Sequence, residues 1–237
     1  MKKYMNYKLI GVLACSLVIA FGIGYYVSSA PTATSIGDNI QAKGTVCDGA
    51  GNCLGGDVLS GNTFTRWGMT TCPTSSQLVY EGYSAGGHYS HGNRGPICLS
   101  KNPTWDQYTD ANNDKATIYG AEYETSGAGI ASMVGMHNYE VPCAVCYSGS
   151  PTMMYPGSQT CPTGWSSVYQ GYLMSGMYNQ GGGMSEYVCV DRVATYFGSN
   201  ANNNGLLFYP TEAECGALPC GPYVQNRELT CSVCAKD

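Results

Sequence analysis

The chain has 237 residues, enough for one or two compact domains that each bury a core. Charged residues make up only 11%, under half the roughly 25% usual for soluble domains, while hydrophobic residues reach 43%, which excludes an intrinsically disordered chain. The formal net charge of -5 comes without a basic patch, and scattered Lys and Arg do not neutralise a row of phosphates, so nucleic acid is excluded as a partner.

In chain order, the first feature is Leu9 to Val27, an uncharged stretch of 19 residues preceded by Lys2, Lys3 and Lys8. It is long enough to cross a bilayer, and the lysines hold the short N-terminus on the cytoplasmic side. Residues 1–27 therefore read as a signal anchor, preferred over a cleaved signal peptide because the small-residue site Ser28-Ser29-Ala30 is followed by Pro31. Lipidation at Cys15 is the third reading, disfavoured because apolar residues continue past it. The protein is expected outside the cell, membrane-anchored through residues 9–27 as a type II single-pass chain, or secreted. Residues 28–62 are small and polar and read as a flexible stalk, with Cys47 and Cys53 clipping a small loop.

Without the three leading lysines, 8 basic groups face 16 acidic ones, a balance of -8. Twelve of the 13 Cys lie in the exported part, at 47, 53, 72, 98, 143, 146, 161, 189, 215, 220, 231 and 234. An even number in an oxidising compartment reads as a disulfide framework. No Asn-x-Ser/Thr acceptor occurs, so N-glycosylation is not expected.

Residues 64–92 lie over residues 153–181 without a gap at an offset of 89, with 12 of 29 positions identical. The identities include Gly68/Gly157, Cys72/Cys161, Tyr80/Tyr169, Gly82/Gly171 and Tyr83/Tyr172. The copies continue around Cys98 and Cys189 and close with CAVC (Cys143, Cys146) against CSVC (Cys231, Cys234). The exported chain is thus expected to be a tandem of two homologous β subdomains, residues 63–147 and 148–237. LVYEGY and SVYQGY are short Val- and Tyr-rich runs bounded by Pro, Ser and Gly, and no long apolar repeat at helical spacing occurs beyond the membrane segment. An all-β, disulfide-rich, antiparallel fold follows.

Several strings invite a chemical reading. Gly82-Tyr83-Ser84-Ala85-Gly86 is a literal G-x-S-x-G, but the Gly- and Pro-rich continuation does not form the helix of a nucleophile elbow, and the second copy has Leu173 at the Ser84 position. A glycine-bounded turn is the preferred reading. The CxxC pairs are separated by 84 residues, too far for a zinc ribbon, and lack the βαβ setting of a redox motif, so each Cys is read as part of a separate structural bridge. His88, His91 and His137 read as loop histidines rather than metal ligands. Asp110, Asn112 and Asp114 resemble the start of an EF-hand loop, but Lys115 and Ala121 occupy positions where it needs Gly and Glu. Trp67, Trp105 and Trp165 suit either a sugar-stacking surface or the β core, and core is preferred for Trp165.

The order CPT, VYxGY, isolated Cys and CxVC, occurring twice, resembles the C-terminal noncollagenous domain of type IV collagen, and more closely that of short-chain, spongin-type collagens. The strings VPCAVCY (141–147), CPTGW (161–165), GYLMS (171–175), LFYPTEAECGALPC (207–220) and RELTCSVC (227–234) carry the likeness over about residues 63–237. The resemblance implies bridges Cys72 with Cys146, Cys98 with Cys143, Cys161 with Cys234, Cys189 with Cys231 and Cys215 with Cys220, leaving Cys47 with Cys53. It implies two similar β subdomains that give strands to each other, and a homotrimer. The chain departs from the family in having no Gly-X-Y tract, so it forms no triple helix. The expectation is a non-enzymatic extracellular structural or adhesion module, without a cofactor or metal, that binds protein or matrix partners. A carbohydrate-binding module taking a glycan is the alternative, and a serine hydrolase using Ser84 the less favoured third.

Overall fold

The computed structural model describes residues 61–91, 94–110, 115–182, 184 and 186–237, and the backbone of 46–47 and 53–54. The anchor, the Cys15 site and most of the stalk lie outside the described residues, and among the described residues no helix is long and apolar enough to cross a membrane. Residues 1–60 and 61–237 are separate units. In the first, β1 (Val46–Cys47) pairs antiparallel with β2 (Cys53–Leu54), Cys47 opposite Cys53. The side chains of these two cysteines are outside the described residues.

The second unit is all-β. Its strands are β3 (Asn62–Trp67), β4 (Gln77–Gly86), β5 (Ile97–Ser100), β6 (Tyr119–Tyr123), β7 (Pro142–Ser148), β8 (Thr152–Pro156), β9 (Trp165–Ser175), β10 (Val188–Asp191), β11 (Leu206–Pro210) and β12 (Thr230–Lys236). One 3-10 turn, Ala131–Met133, interrupts them. The Val- and Tyr-rich runs became β4 and β9 because their residues suit a pleated, half-buried surface and the flanking Pro, Ser and Gly end the pleat.

Strand pairings within residues 62–148 recur within residues 152–236. β7 lies between β3 and β4 as β12 lies between β8 and β9, and β4 also takes β5 and β6 as β9 takes β10 and β11, all antiparallel. Even the irregularities repeat. The β4–β7 register skips Val79 between Leu78 and Tyr80, and the β9–β12 register skips the corresponding Val168. An extra residue on one strand bends it and sharpens its twist, so both long strands bend at the same place. Gly68 and Gly157, with φ of 88° and 83°, turn the chain after β3 and β8 where a side chain would be strained.

The two sets meet through parallel pairings, β10 with β3 and β11 with β6, where antiparallel strands were expected throughout. Those joints connect strands far apart in sequence, for which a hairpin does not dictate direction. The path β10-β3-β7-β4-β6-β11-β9 returns to β10 through β9, so the sheet closes on itself, with β12 and β8 extending from β9. Trp67, Tyr123, Met133, Val141, Met174, Val190, Leu206 and Phe208 fill one core shared by both sets. Residues 61–237 accordingly form one compact unit.

Candidate functional site

Five disulfides occur among the described residues: Cys72–Cys146, Cys98–Cys143, Cys161–Cys234, Cys189–Cys231 and Cys215–Cys220. The structure thus brings together the partners that the resemblance implies at these ten positions. Cys143, Cys146, Cys231 and Cys234 sit on β7 and β12 with no accessible surface, so neither CxxC offers a thiol. Residues two apart in a flat strand share a face, whereas Cys143 and Cys146 are three apart and reach to opposite faces, toward β5 and toward Cys72 beyond β3. Such a framework agrees with an extracellular or secreted location.

The joint between β3 and the second set holds a buried ion pair. Arg66 on β3 donates from Nε to the Asp191 carboxylate at 2.8 Å, and its Nη2 lies 2.6 Å from the same oxygen. Its Nη1 reaches the Thr71 carbonyl, and the other Asp191 oxygen accepts from the Val193 N–H. The guanidinium also lies 5.8 Å from the Tyr169 ring centroid. Tyr169 donates its hydroxyl to the Cys189 carbonyl at 2.9 Å, and burial beside the Asp191 charge pushes the phenol pKa well above its usual range. Tyr80, its counterpart, makes the same bond to the Cys98 carbonyl at 2.9 Å.

Geometry is shared but covering is not. Tyr169, Val188 and Val190 are 7%, 7% and 0% exposed because β3 lies over them, whereas their counterparts Tyr80, Ile97 and Leu99 are 37%, 49% and 37% exposed. Leu78 and Tyr83 on β4 are also exposed, Tyr83 lying opposite Leu99 in register and so on the Leu99 side of the sheet, with Tyr80 on the other side. Ile118 is exposed beyond β5, and a cavity of about 310 Å³ lined by Gly86, Arg94, Gly95, Ile97, Ala116, Thr117 and Ile118 opens there. Large exposed apolar patches on soluble domains mark interaction sites.

The other candidate residues fall elsewhere. Ser84 lies inside β4, 2% exposed and paired with Cys98, so the Gly-bounded string is a strand rather than a turn. Its hydroxyl lies 3.4 Å from the Pro142 carbonyl. The close approach of β5 explains the glycine at 82: an added Cβ would meet the Leu99 carbonyl oxygen, and at Gly171 the Val190 carbonyl oxygen. His88 and His91 stack with ring centroids 4.5 Å apart, each Nδ1 2.9 Å from the Ser90 hydroxyl, and burial with the neighbouring His91 lowers the His88 pKa. His137 pairs with Glu124 at 3.2 Å. Among the described residues no group of three His, Cys, Asp or Glu is placed to hold a metal. Trp67 is core, Trp165 is half-buried at the start of β9 rather than in the core, and Trp105 is fully exposed with Tyr108 on the same loop. Asn112 and Asp114 lie outside the described residues.

Sequence reasoning missed the Arg66–Asp191 pair and the carboxylates that order the loop 198–204. Glu122 accepts from the N–H groups of Asn203 and Asn204, and Glu140 from that of Ser199. A signal existed for the first: Arg66 and Asp191 break the repeat, standing opposite Tyr155 and Ser100. No protein-family model matches the chain.

Proposed function

We propose that the chain is a non-enzymatic extracellular structural or adhesion module, similar to the noncollagenous head of short-chain collagens but without their rod. In this reading residues 63–147 and 148–237 are tandem copies of one β subdomain, bridged into a rigid platform, and the uncovered β4–β5 face holds a protein or matrix partner. The observation that carries it is the unequal covering of matched residues. Leu99 and Ile97 stay exposed where the same positions of the second copy are core, and burying such side chains is worth about 1.5–3 kcal/mol each. The test is binding of the full chain to immobilised extracellular matrix proteins, with Leu99→Glu expected to weaken it tenfold or more. Retained binding by a folded Leu99→Glu protein defeats the face assignment.

The alternative, a carbohydrate-binding module, draws support from Trp105 and Tyr108, 78% and 74% exposed on one loop, since aromatic faces stack on sugar rings. Glycan-array binding lost in Trp105→Ala and kept in Leu99→Glu would favour it over the protein-binding reading.

A further inference from the structure

Strands β4 and β9 both run out into the same tight turn. His91 donates its N–H to the His88 carbonyl at 3.1 Å, and at the repeat offset of 89 Gln180 donates to the Met177 carbonyl at 3.2 Å. The fold closes this turn with Met and Gln as readily as with two histidines, so nothing in the scaffold calls for imidazoles at 88 and 91. These two are nonetheless among only 3 histidines in the chain.

The first turn is held from several sides. Tyr89 donates its N–H to the Gly205 carbonyl at 2.9 Å, and its own carbonyl accepts from the Gly182 N–H at 3.2 Å. A Cβ at Gly182 would meet the His91 backbone nitrogen, so the two segments touch backbone to backbone. The Tyr119 ring stands edge-on to both imidazoles, its centroid 4.8 Å from that of His88 and 6.4 Å from that of His91. Between the two rings lies the Ser90 hydroxyl, 2.9 Å from each Nδ1. One hydroxyl has one proton to give, and His88 Nδ1 also accepts the Ser90 N–H at 3.2 Å. His88 Nδ1 therefore turns a lone pair inward, and His91 Nδ1 supplies the proton of the remaining bond. In the other neutral tautomer of His91 that proton sits on Nε2, and both Nδ1 lone pairs then converge on the point the oxygen holds.

We propose that His88 and His91 hold a divalent late transition-metal ion, copper(II) above the others, through their Nδ1 atoms at the place of the Ser90 hydroxyl. A metal–imidazole bond is about 2.1 Å, so each nitrogen moves in by about 0.8 Å from its present distance to the oxygen. Ser90 and His91 are exposed and His88 is half-buried, so side-chain rotation supplies that movement while the tied backbone stays in place. No third His, Cys, Asp or Glu joins the pair among the described residues. A donor set of two nitrogens without a carboxylate does not suit calcium or magnesium, which take oxygen ligands, and among divalent first-row ions such a site favours copper(II). The remaining positions on the ion are left to water or to a donor from another molecule. The site goes beyond the adhesion reading and does not depend on it, since both protein ligands belong to one turn of one chain.

The test adds copper(II) alone to the full chain in mild detergent at neutral pH, with binding read by calorimetry and ligand type by electron paramagnetic resonance. Wild type is expected to take one copper per chain with nitrogen ligation, and its melting temperature to rise as copper is added, since the ion binds the folded turn. His88→Met combined with His91→Gln installs the pair that the second turn carries, so this variant keeps the fold, and its melting curve without metal should match wild type. It is expected to lose copper affinity by at least about tenfold, the loss that even outer partners of metal ligands cause. Ser90→Ala is expected to bind as well as wild type or better, because it removes only the group that the ion displaces, and His137→Ala to bind as wild type does. No saturable copper binding, a double variant that keeps wild-type affinity, or an affinity lost in Ser90→Ala or His137→Ala overturns the proposal.

Discussion

Arg66 and Asp191 are nearly enclosed, with side chains 11% and 3% exposed, and each satisfies the other. Removing one partner leaves a charge without solvent or counter-charge, which costs about 3–5 kcal/mol. Asp191→Ala is expected to lower stability by about that amount in urea unfolding, and Arg66→Met combined with Asp191→Leu by clearly less, since the pair then leaves as a unit. Glu124 behaves differently. Burial is the main cause that raises its carboxyl pKa, with Glu122 adding to it and His137 opposing it. A folded-state value above the unfolded one gives a stability contribution present below the unfolded pKa and lost as pH rises through the folded one. Glu124→Gln, which does not ionise, should therefore gain on wild type in melting temperature as pH rises above the ordinary glutamate pKa, and a difference that stays constant with pH would refute the assignment.

At the scale of elements, the two long strands are held against their short neighbours by backbone approach rather than by side-chain fit. A Cβ at Gly82 or Gly171 would strike a carbonyl oxygen of β5 or β10, and backbone does not yield as a flexible side chain does. Gly171→Ala and Gly82→Ala are each expected to cost about 1–3 kcal/mol. The cost should be larger at Gly171, because β10 is clamped by β3 while the outer edge of β5 pairs with no described strand. Much of this level was legible in the sequence. The VYxGY runs mark both strands, and the cysteine offsets mark where strands from distant segments meet. The parallel joints were not, because nothing local in LFY or YGAEY says which distant strand lies alongside. Ser84 misled for a related reason: Gly on either side of it suggests a turn until the close approach of β5 supplies another reason for small residues. The face itself was invisible, since Leu99 and Val190 read alike and only the covering strand tells them apart.

For the whole unit, the bridges matter most through the unfolded chain. In the chain-entropy account, closing loops of 74, 45, 73 and 42 residues contributes about 4 kcal/mol each, against about 2 kcal/mol for the short Cys215–Cys220 loop. Replacing Cys98 and Cys143 with Ala should therefore cost about twice what replacing Cys215 and Cys220 costs, read as a difference in denaturation midpoint at constant slope. Their layout also has a mechanical side. A pull between Gly61 and Asp237 passes through sulfur from Cys72 to Cys146 and again from Cys161 to Cys234, so neither long segment is stretched. Between Cys72 and Cys234 only residues 146–161 can pay out, roughly 50 Å at full extension against roughly 550 Å from Cys72 to Cys234 once reduced. Under tension the molecule acts as an almost inextensible link, and reducing agent turns it into slack tether.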